Sequence, residues 1–284
     1  MAIQFKEVSF EYSPNSPFSF QALKNINLEI EEGKITAIVG ATGSGKSTLV
    51  QHLNALLIPS SGQVIVQDKV IVANKKNTGL KALRENVGLV FQFPEAQLFE
   101  ETILKDVMFG PLNFKKTHDE AKAAAIASLQ LVGIEPELFN QSPLELSGGQ
   151  KRRVAIAGIL SMNPDILVCD EPTAGLDPQG SKQIMKVFSD YNQKLNKTVI
   201  LVTHDLQHVL DYADNVVVMD KGEVLYSDTK INFFTQEQMM DELEFVLPKV
   251  ILTRNSLIKK GFKLDSSIIT MDKLIEGILK EVKA

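Results

Sequence analysis

Three short runs in this chain carry side chains that could do chemistry together. Gly40-Ala41-Thr42-Gly43-Ser44-Gly45-Lys46-Ser47, followed by Thr48, fits the phosphate-loop pattern G-x-x-x-x-G-K-[ST] at every position. Backbone N–H groups can wrap phosphate oxygens only where no Cβ blocks the approach, hence the glycines. Lys46 would bridge the β- and γ-phosphates of a nucleoside triphosphate, and Ser47 would coordinate Mg²⁺. The second run, Ile166-Leu167-Val168-Cys169-Asp170-Glu171-Pro172, is apolar until it delivers two adjacent carboxylates. Side chains alternate along a strand, so the pair divides its work. Asp170 would hold the Mg²⁺ shell through water, and Glu171 would take a proton from an attacking water. The third run, Ser147-Gly148-Gly149-Gln150, opens a helix that continues KRRVAIAGIL. A helix N-terminus carries about half a positive charge and free N–H groups. The glycines let those groups approach a γ-phosphate, and Ser147 adds a hydroxyl. Two such turns, with Ser147 lying 101 residues beyond Lys46, predict two chains that close on one nucleotide, each giving a different part of the site.

The elements that must position these runs can be read from the apolar pattern. Residues 3–12 alternate as a strand with a slip in the middle, and SPNSPFS at 13–19 is a turn-rich insertion. A second strand is predicted near 25–30. Residues 35–39 are a continuous apolar, β-branched run, as in a buried parallel strand. That strand feeds the glycine loop directly, and a helix from Lys46 to about Leu57 follows, stopped by Pro59-Ser60-Ser61-Gly62. A strand at 87–91 leads into a helical stretch over 95–160. Strands 166–169 and 199–203 end at the two carboxylates and at His204, and 216–219 with 223–226 make a hairpin around Lys221-Gly222. A last helix begins after Thr270 as N-cap.

Composition narrows the class. The chain has 284 residues, 44% hydrophobic and 23% charged, the balance of an ordinary globular protein. A net charge of −5 argues against a nucleic-acid partner, which selects for a basic face. Cys169 is the single cysteine, so no internal disulfide can form. Its place inside an apolar run makes it a small core residue. No apolar run approaches the ~18–20 residues that span a bilayer, and the amino terminus lacks a signal layout. A cytoplasmic location is expected, with any membrane role exercised through a partner.

Leu146-Ser147-Gly148-Gly149-Gln150 between a full phosphate loop and ILVCDEP resembles the ATP-binding cassette family, whose nucleotide-binding domains drive membrane transport. The resemblance implies an α/β P-loop fold with a RecA-like core, an antiparallel β subdomain and a helical signature subdomain. It places the nucleotide-binding domain at residues 1–230, with the helical subdomain at about 95–160, and leaves 231–284 as a C-terminal helical extension. It also assigns roles. Gln92 matches the glutamine that touches Mg²⁺ and the attacking water. Asp177, in Ala174-Gly175-Leu176-Asp177, would contact the opposite chain. His204, in LVTHD, matches the switch histidine near the γ-phosphate. Tyr12 would stack on adenine, with Phe18 and Phe20 as nearby competitors. ATP is favoured over GTP, since no N-K-x-D motif occurs. His52, His118 and His208 have no such placement and are expected to be structural.

A narrower resemblance covers Phe91–Phe99 (FQFPEAQLF), which is similar to the Q-helix of energy-coupling factor (ECF) transporter ATPases. It implies that Phe93, Pro94, Glu95, Gln97, Leu98 and Phe99 dock a coupling helix of a transmembrane T component. RRVAIAG, QHLN and PTAGLDP resemble the same group, and the insertion ending SPF resembles the second of its two ATPase types. Ala41 and Ala55 depart from commoner choices without touching a catalytic role. The implied partners are a sister ATPase, identical or related, the T component, and a membrane S component that chooses the substrate, commonly a vitamin or a transition metal ion. The implied place is the cytoplasmic face of the cell membrane. The tail residues Phe233, Phe234, Met239, Leu243, Phe245 and Leu247 would form a small helical lobe, packed on its own domain or against a second chain, and the resemblance favours the second. Rival readings are a soluble cassette protein acting on DNA, ribosomes or iron–sulfur assembly, and a non-catalytic regulatory partner. The 101-residue spacing shows no sustained heptads for a repair-type coiled coil, and Glu171, Gln92 and His204 together speak against a silent partner.

Overall fold

The computed structural model describes residues 3–283. The chain begins with β1 (Ile3–Tyr12), β2 (Phe20–Ile30), β3 (Ile35–Val39), α1 (Lys46–Gln51), β4 (Ser61–Val66), β5 (Lys69–Val72), α2 (Leu80–Asn86) and β6 (Val87–Val90). Three longer helices follow, α3 (Ile103–Asn113), α4 (His118–Leu131) and α5 (Gly148–Leu160). Next come β7 (Ile166–Asp170), α6 (Pro178–Leu195), β8 (Thr198–Val202), α7 (Leu206–Tyr212), β9 (Asn215–Asp220) and β10 (Glu223–Thr229). The extension holds α8 (Lys230–Phe233), α9 (Glu237–Glu242), α10 (Lys249–Lys259) and α11 (Met271–Lys283).

Among the described residues these strands make two sheets, one antiparallel in the order β2-β1-β4-β5 and one of six strands in the order β10-β9-β3-β8-β7-β6. Every neighbouring pair in the second sheet is parallel except β9–β10. Parallel strands need cover on both faces, and β3, β7 and β8 are buried at every position. Pleating sends Ile38 towards the antiparallel sheet, where Leu49, Val50 and Leu53 fill the space beneath Phe5, Val8 and Val64. Leu167 and Cys169 face the other way, onto Val154, Ile156 and Ala157 of α5 and Phe188 of α6. Ala37, Val39, Val216 and Val218 meet α7 and the extension, where Phe233 and Phe234 are fully buried. Each such side chain contributes roughly 1.5–3 kcal/mol on burial, so the extension is packed into its own chain's core.

The structure departs from the predicted bounds in ways that have local causes. Helix α1 stops at Gln51 rather than near Leu57. Beyond it the backbone bonds shorten in span, from His52 N–H to Leu49 O and Leu53 N–H to Val50 O, and Ala55 turns left-handed at φ 52. Arg84 fastens that turn by donating to the Asn54 and Ala55 carbonyls. Strand β2 starts at Phe20, five residues earlier than predicted, because the insertion closes a hairpin that pairs Tyr12 with Phe20. The slip in β1 is an irregularity between Phe5 and Val8, with Glu7 at φ 51. Hairpin β4–β5 and helix α2 were not predicted, although VIV and VIV around Gln67-Asp68 spell the hairpin.

Candidate functional site

Four loops leave the same edge of the parallel sheet, because β3, β6, β7 and β8 run in one direction. Their carboxyl ends deliver the 40–45 loop, Gln92, Glu171 and His204, and the crevice outside such ends is where α/β sheets bind ligands. The glycine loop is shaped by contacts that exclude a side chain. A Cβ on Gly40 (φ 146) would sit 2.0 Å from Met219 O, and one on Gly45 (φ 101) would sit 2.7 Å from Ala22 O. Nothing stands within 4 Å of the corresponding point on Gly43, whose outer face is open.

Lys46 is turned back into this loop. Its Nζ donates to the Gly40 and Ala41 carbonyls, each at 2.8 Å, and to Ser44 Oγ at 3.4 Å. Burial lowers its pKa, opposed by the carboxylates of Glu171 and Asp170. Ala41, Thr42, Gly43 and Ser47 are exposed, while Thr48 is buried and its hydroxyl lies 3.2 Å from Tyr12 Oη. Tyr12 is thus fixed beside the loop, edge-on to Phe10 at 4.8 Å. Phe18 and Phe20 are both exposed further along the hairpin.

The two carboxylates part as alternation requires. Asp170 is buried, its Oδ1 has no hydrogen-bond partner, and burial raises its pKa against the pull of the Ser47 hydroxyl. An orphaned carboxylate oxygen next to a serine hydroxyl suits the water shell of a hard divalent cation. Glu171 stands at φ 48, and both its oxygens lie 2.9 Å from His204 Nδ1, whose N–H donates to them. His204 is exposed, as is Gln92 at the end of β6. The predicted base and the predicted switch histidine are therefore in direct contact.

The Ser147 turn belongs to a different layer. Ser147 caps α5 in a reciprocal box: Gln150 N–H donates to Ser147 Oγ at 3.3 Å, and Gln150 Oε1 accepts from the Ser147 N–H at 3.0 Å and its hydroxyl at 2.9 Å. Ser147 and Gly148 are exposed, and a Cβ at Gly148 or Gly149 would meet nothing within 4 Å. Asp177 caps α6 by accepting from Gly180 N–H at 2.7 Å, with Pro178 in the first turn.

The segment after Gln92 forms a 3₁₀ turn, Pro94–Gln97, which borders an apolar groove of about 410 Å³. Pro94, Gln97, Leu98 and Phe99 line one wall, with Phe109 of α3 and Ile159 of α5 opposite. Phe93 and Glu95 are not in that lining. The Glu95 carboxylate turns inward onto Arg152, accepting from Nε at 2.9 Å and Nη2 at 2.6 Å. Sequence reasoning missed Arg152. Its signal was the spacing Arg152, Ile156, Leu160, which puts an arginine on the apolar face of α5. Of the histidines, His52 is buried under α1 and His208 contacts Ser181.

So arranged, the sheet edge is that of a P-loop nucleoside triphosphatase, and an outward-facing serine-glycine turn on a separate helical layer narrows it to the cassette class. Comparison with known proteins agrees. A model of the ABC transporter family matches residues 23–174. The chain is 48% identical over 283 residues to the energy-coupling factor transporter ATP-binding protein EcfA2 of Enterococcus faecalis, covering 100% of this chain and 98% of that one. It is also 48% identical to the protein of that name from Lactiplantibacillus plantarum, covering 99% and 96%. Among solved structures, cbiO1 from Clostridium perfringens, described as part of the ABC transporter complex cbiONQ, superposes with a TM-score of 0.74 at 38% identity, over 89% of this chain and 98% of that one. A dimer of the ATP-binding cassette MJ0796 bound to ADP and Pi gives 0.71 at 33% identity, over 80% and 98%. The chain belongs to the ABC transporter family, among the ATP-binding proteins of energy-coupling factor transporters. No helix among the described residues is long and apolar enough to cross a membrane.

Proposed function

We propose that this chain is the ATP-hydrolysing subunit of an ECF-type importer and acts as half of a head-to-tail pair of ATPases. The observation that carries the proposal is the division of the site. Lys46, Asp170, Glu171 and His204 gather at one sheet edge, while the Ser147 turn faces outward from another layer. One nucleotide is then completed by the phosphate loop of one chain and the signature turn of its partner, a sister ATPase, with Asp177 at the seam.

In this cycle ATP lies on the 40–48 loop with its base against Tyr12. Lys46 exchanges its two neutral carbonyls for anionic phosphate oxygens, which adds charge–charge attraction to bonds whose donor is already ionised. Ser47, Gln92 and Asp170, the last through water, would hold Mg²⁺, which would supply neutralisation of phosphate charge. Water attacks the γ-phosphorus, its proton passes to a Glu171 carboxylate oxygen, and the bond to the β-phosphate oxygen breaks, releasing ADP and phosphate. His204 releases Glu171 as it turns to the γ-phosphate. Most of the acceleration is positioning and charge stabilisation.

The 410 Å³ groove is the dock for an apolar coupling helix of the membrane T component, with the Glu95 carboxylate turned inward onto Arg152 and Phe93 exposed outside the lining. The chain then works from the cytoplasmic face of the membrane, the side that supplies ATP. The substrate, a vitamin or another micronutrient, is chosen by the S component. Residues 1–230 form the nucleotide unit, with 95–160 as its helical arm and 231–284 as an added lobe. Glu171→Gln should retain ATP binding and lose about 10²–10⁴ in turnover. Turnover at the wild-type rate would refute the base assignment. Purification from membranes should bring a sister ATPase and membrane subunits with the chain. A chain recovered alone would favour a soluble cassette ATPase instead.

A further inference from the structure

The groove and the catalytic loop meet in one side chain. Arg152 is 3% exposed and lies on α5, five residues beyond Ser147. Its guanidinium forks onto Glu95, Nε to Oε2 at 2.9 Å and Nη2 to Oε1 at 2.6 Å. The remaining nitrogen, Nη1, donates to Ala174 O at 2.5 Å and Pro172 O at 3.4 Å. Its carbon stands 5.4 Å from the ring centroid of Phe93, and a Cβ on Gly175 would meet that ring at 3.7 Å. Three segments are therefore stapled by one group: the 93–95 turn, the signature helix, and the 172–175 loop.

Glu171 stands immediately before the last of these and Asp177 two residues after it. Ala174 N–H donates to the Glu171 carbonyl at 3.1 Å and Leu176 N–H to the Thr173 carbonyl at 3.1 Å, so the segment is a compact turn. The groove has the same two owners. Pro94 and Leu98 form one wall and Ala155, Gly158 and Ile159 of α5 contribute to the rest. An occupant of the groove presses on both elements that Arg152 joins. A buried ion pair is weak evidence for stability, since apolar residues of similar volume do as well. Its value here is geometric: a planar fork holds a carboxylate and two carbonyls in fixed relation, which a lysine cannot do with one nitrogen.

We propose that Arg152 is a positioning residue that transmits occupancy of the groove to the loop carrying Glu171 and Asp177, so that a docked membrane helix sets the rate of ATP hydrolysis through the Glu95–Arg152–Ala174 chain. The inference rests on the reading that the groove docks a membrane subunit.

The test compares kcat for ATP in the assembled transporter with kcat in the soluble ATPase pair, for the wild type, Arg152→Lys and Glu95→Gln. The ratio of the two rates measures the coupling. Both variants should move that ratio towards one by about 2- to 30-fold, the range of mutations along a coupling path, while the KM for ATP stays within about twofold. A residue that only supports the fold would lower yield or assembly and leave the ratio where it was. Should Arg152→Lys fail to fold, Glu95→Gln carries the test, since it keeps the arginine and both carbonyl bonds. Variants that assemble with the wild-type ratio overturn this inference alone. A wild type whose rate is indifferent to the membrane subunits overturns the docking reading as well.

Discussion

His52 closes the helix that begins with Lys46, and it offers a measurable proton inside the fold. The ring is fully buried, edge-on to Phe10 at 5.0 Å. Nδ1 lies 2.7 Å from Thr48 O, so this nitrogen carries the hydrogen and donates, and Nε2 is buried without a partner. Burial pushes the pKa down from 6.5 to about 4, against the bond to Thr48. The unfolded chain therefore takes up this proton more readily than the folded chain, and stability rises with pH between the two values. The contribution is whole above pH 6.5 and lost progressively as pH falls towards 4. At about 1.36 kcal/mol per pH unit, acidification from pH 7.5 to pH 5 removes about 2 kcal/mol through this ring. The assay is urea unfolding of the wild type and His52→Gln at both pH values. The glutamine amide can still donate to Thr48 O and has no proton to gain. Lost ring packing destabilises the variant equally at both pH values, so it cancels in the comparison. The wild type should lose about 2 kcal/mol more than the variant on acidification. An equal loss would show that the ring is not held neutral by the fold.

Lys46→Ala should weaken ATP binding about 10- to 100-fold, the worth of roughly 1.5–3 kcal/mol in charged hydrogen bonds. Equilibrium binding reads it directly, and unchanged affinity would remove Lys46 from the site. Phe109→Glu places a charge in the apolar groove, where Phe109 meets Phe99 edge-on at 4.8 Å. It should abolish recovery of membrane subunits while ATP affinity holds, and intact recovery would argue against the dock. Arg254→Met removes the donors to Phe234 O at 2.7 Å, Ile268 O at 3.0 Å and Ser266 O. At roughly 1–3 kcal/mol for each carbonyl left without a donor, amide exchange should speed up across α8 to α11. Unaltered exchange would mean the extension is held by its apolar contacts alone.

The parts legible in the sequence were those in which chemistry fixes residue type. A phosphate loop needs glycine where a Cβ would strike Met219 O, and an apolar run ending in Asp170-Glu171, which alone could be a strand meeting solvent, reads as a strand at a ligand edge once the phosphate loop stands beside it. What stayed hidden was pairing at a distance. Nothing in FPEAQLF announces that Glu95 faces Arg152, 57 residues away, because an acidic residue in a short polar turn usually faces water. The Glu171–His204 contact spans 33 residues and depends on β7 and β8 being neighbours, which strand order decides and local pattern does not. The tail shows the same limit. Its aromatic residues were recognised as a lobe, but whether they bury against their own sheet or a second chain depends on which face of β3 and β9 needs cover. Val39, Val216 and Val218 supply that face. Met271, Ile275 and Leu279 on α11 remain an exposed apolar row on the lobe.

Three of the polar groups assigned to the nucleotide site hold partners within the chain, while Asp170 Oδ1 has none. Lys46 is bound by two carbonyls, Glu171 by His204, and Ser147 by Gln150. Each is an exchange waiting for a better partner, and each calls for a different one. Phosphate outbids the neutral carbonyls for Lys46, because it sets a negative charge against a donor that is already ionised. A γ-phosphate is also the group towards which His204 can carry its N–H, leaving Glu171 free to accept a proton. The Ser147 hydroxyl can turn outward only when a nucleotide held by another chain is brought against it. In the proposed cycle, binding would free the base and pairing would complete the charge clamp, so hydrolysis would wait on both. On that proposal a single subunit with ATP would meet the first condition alone, and a membrane partner seated in the groove beside Leu98 would govern the second.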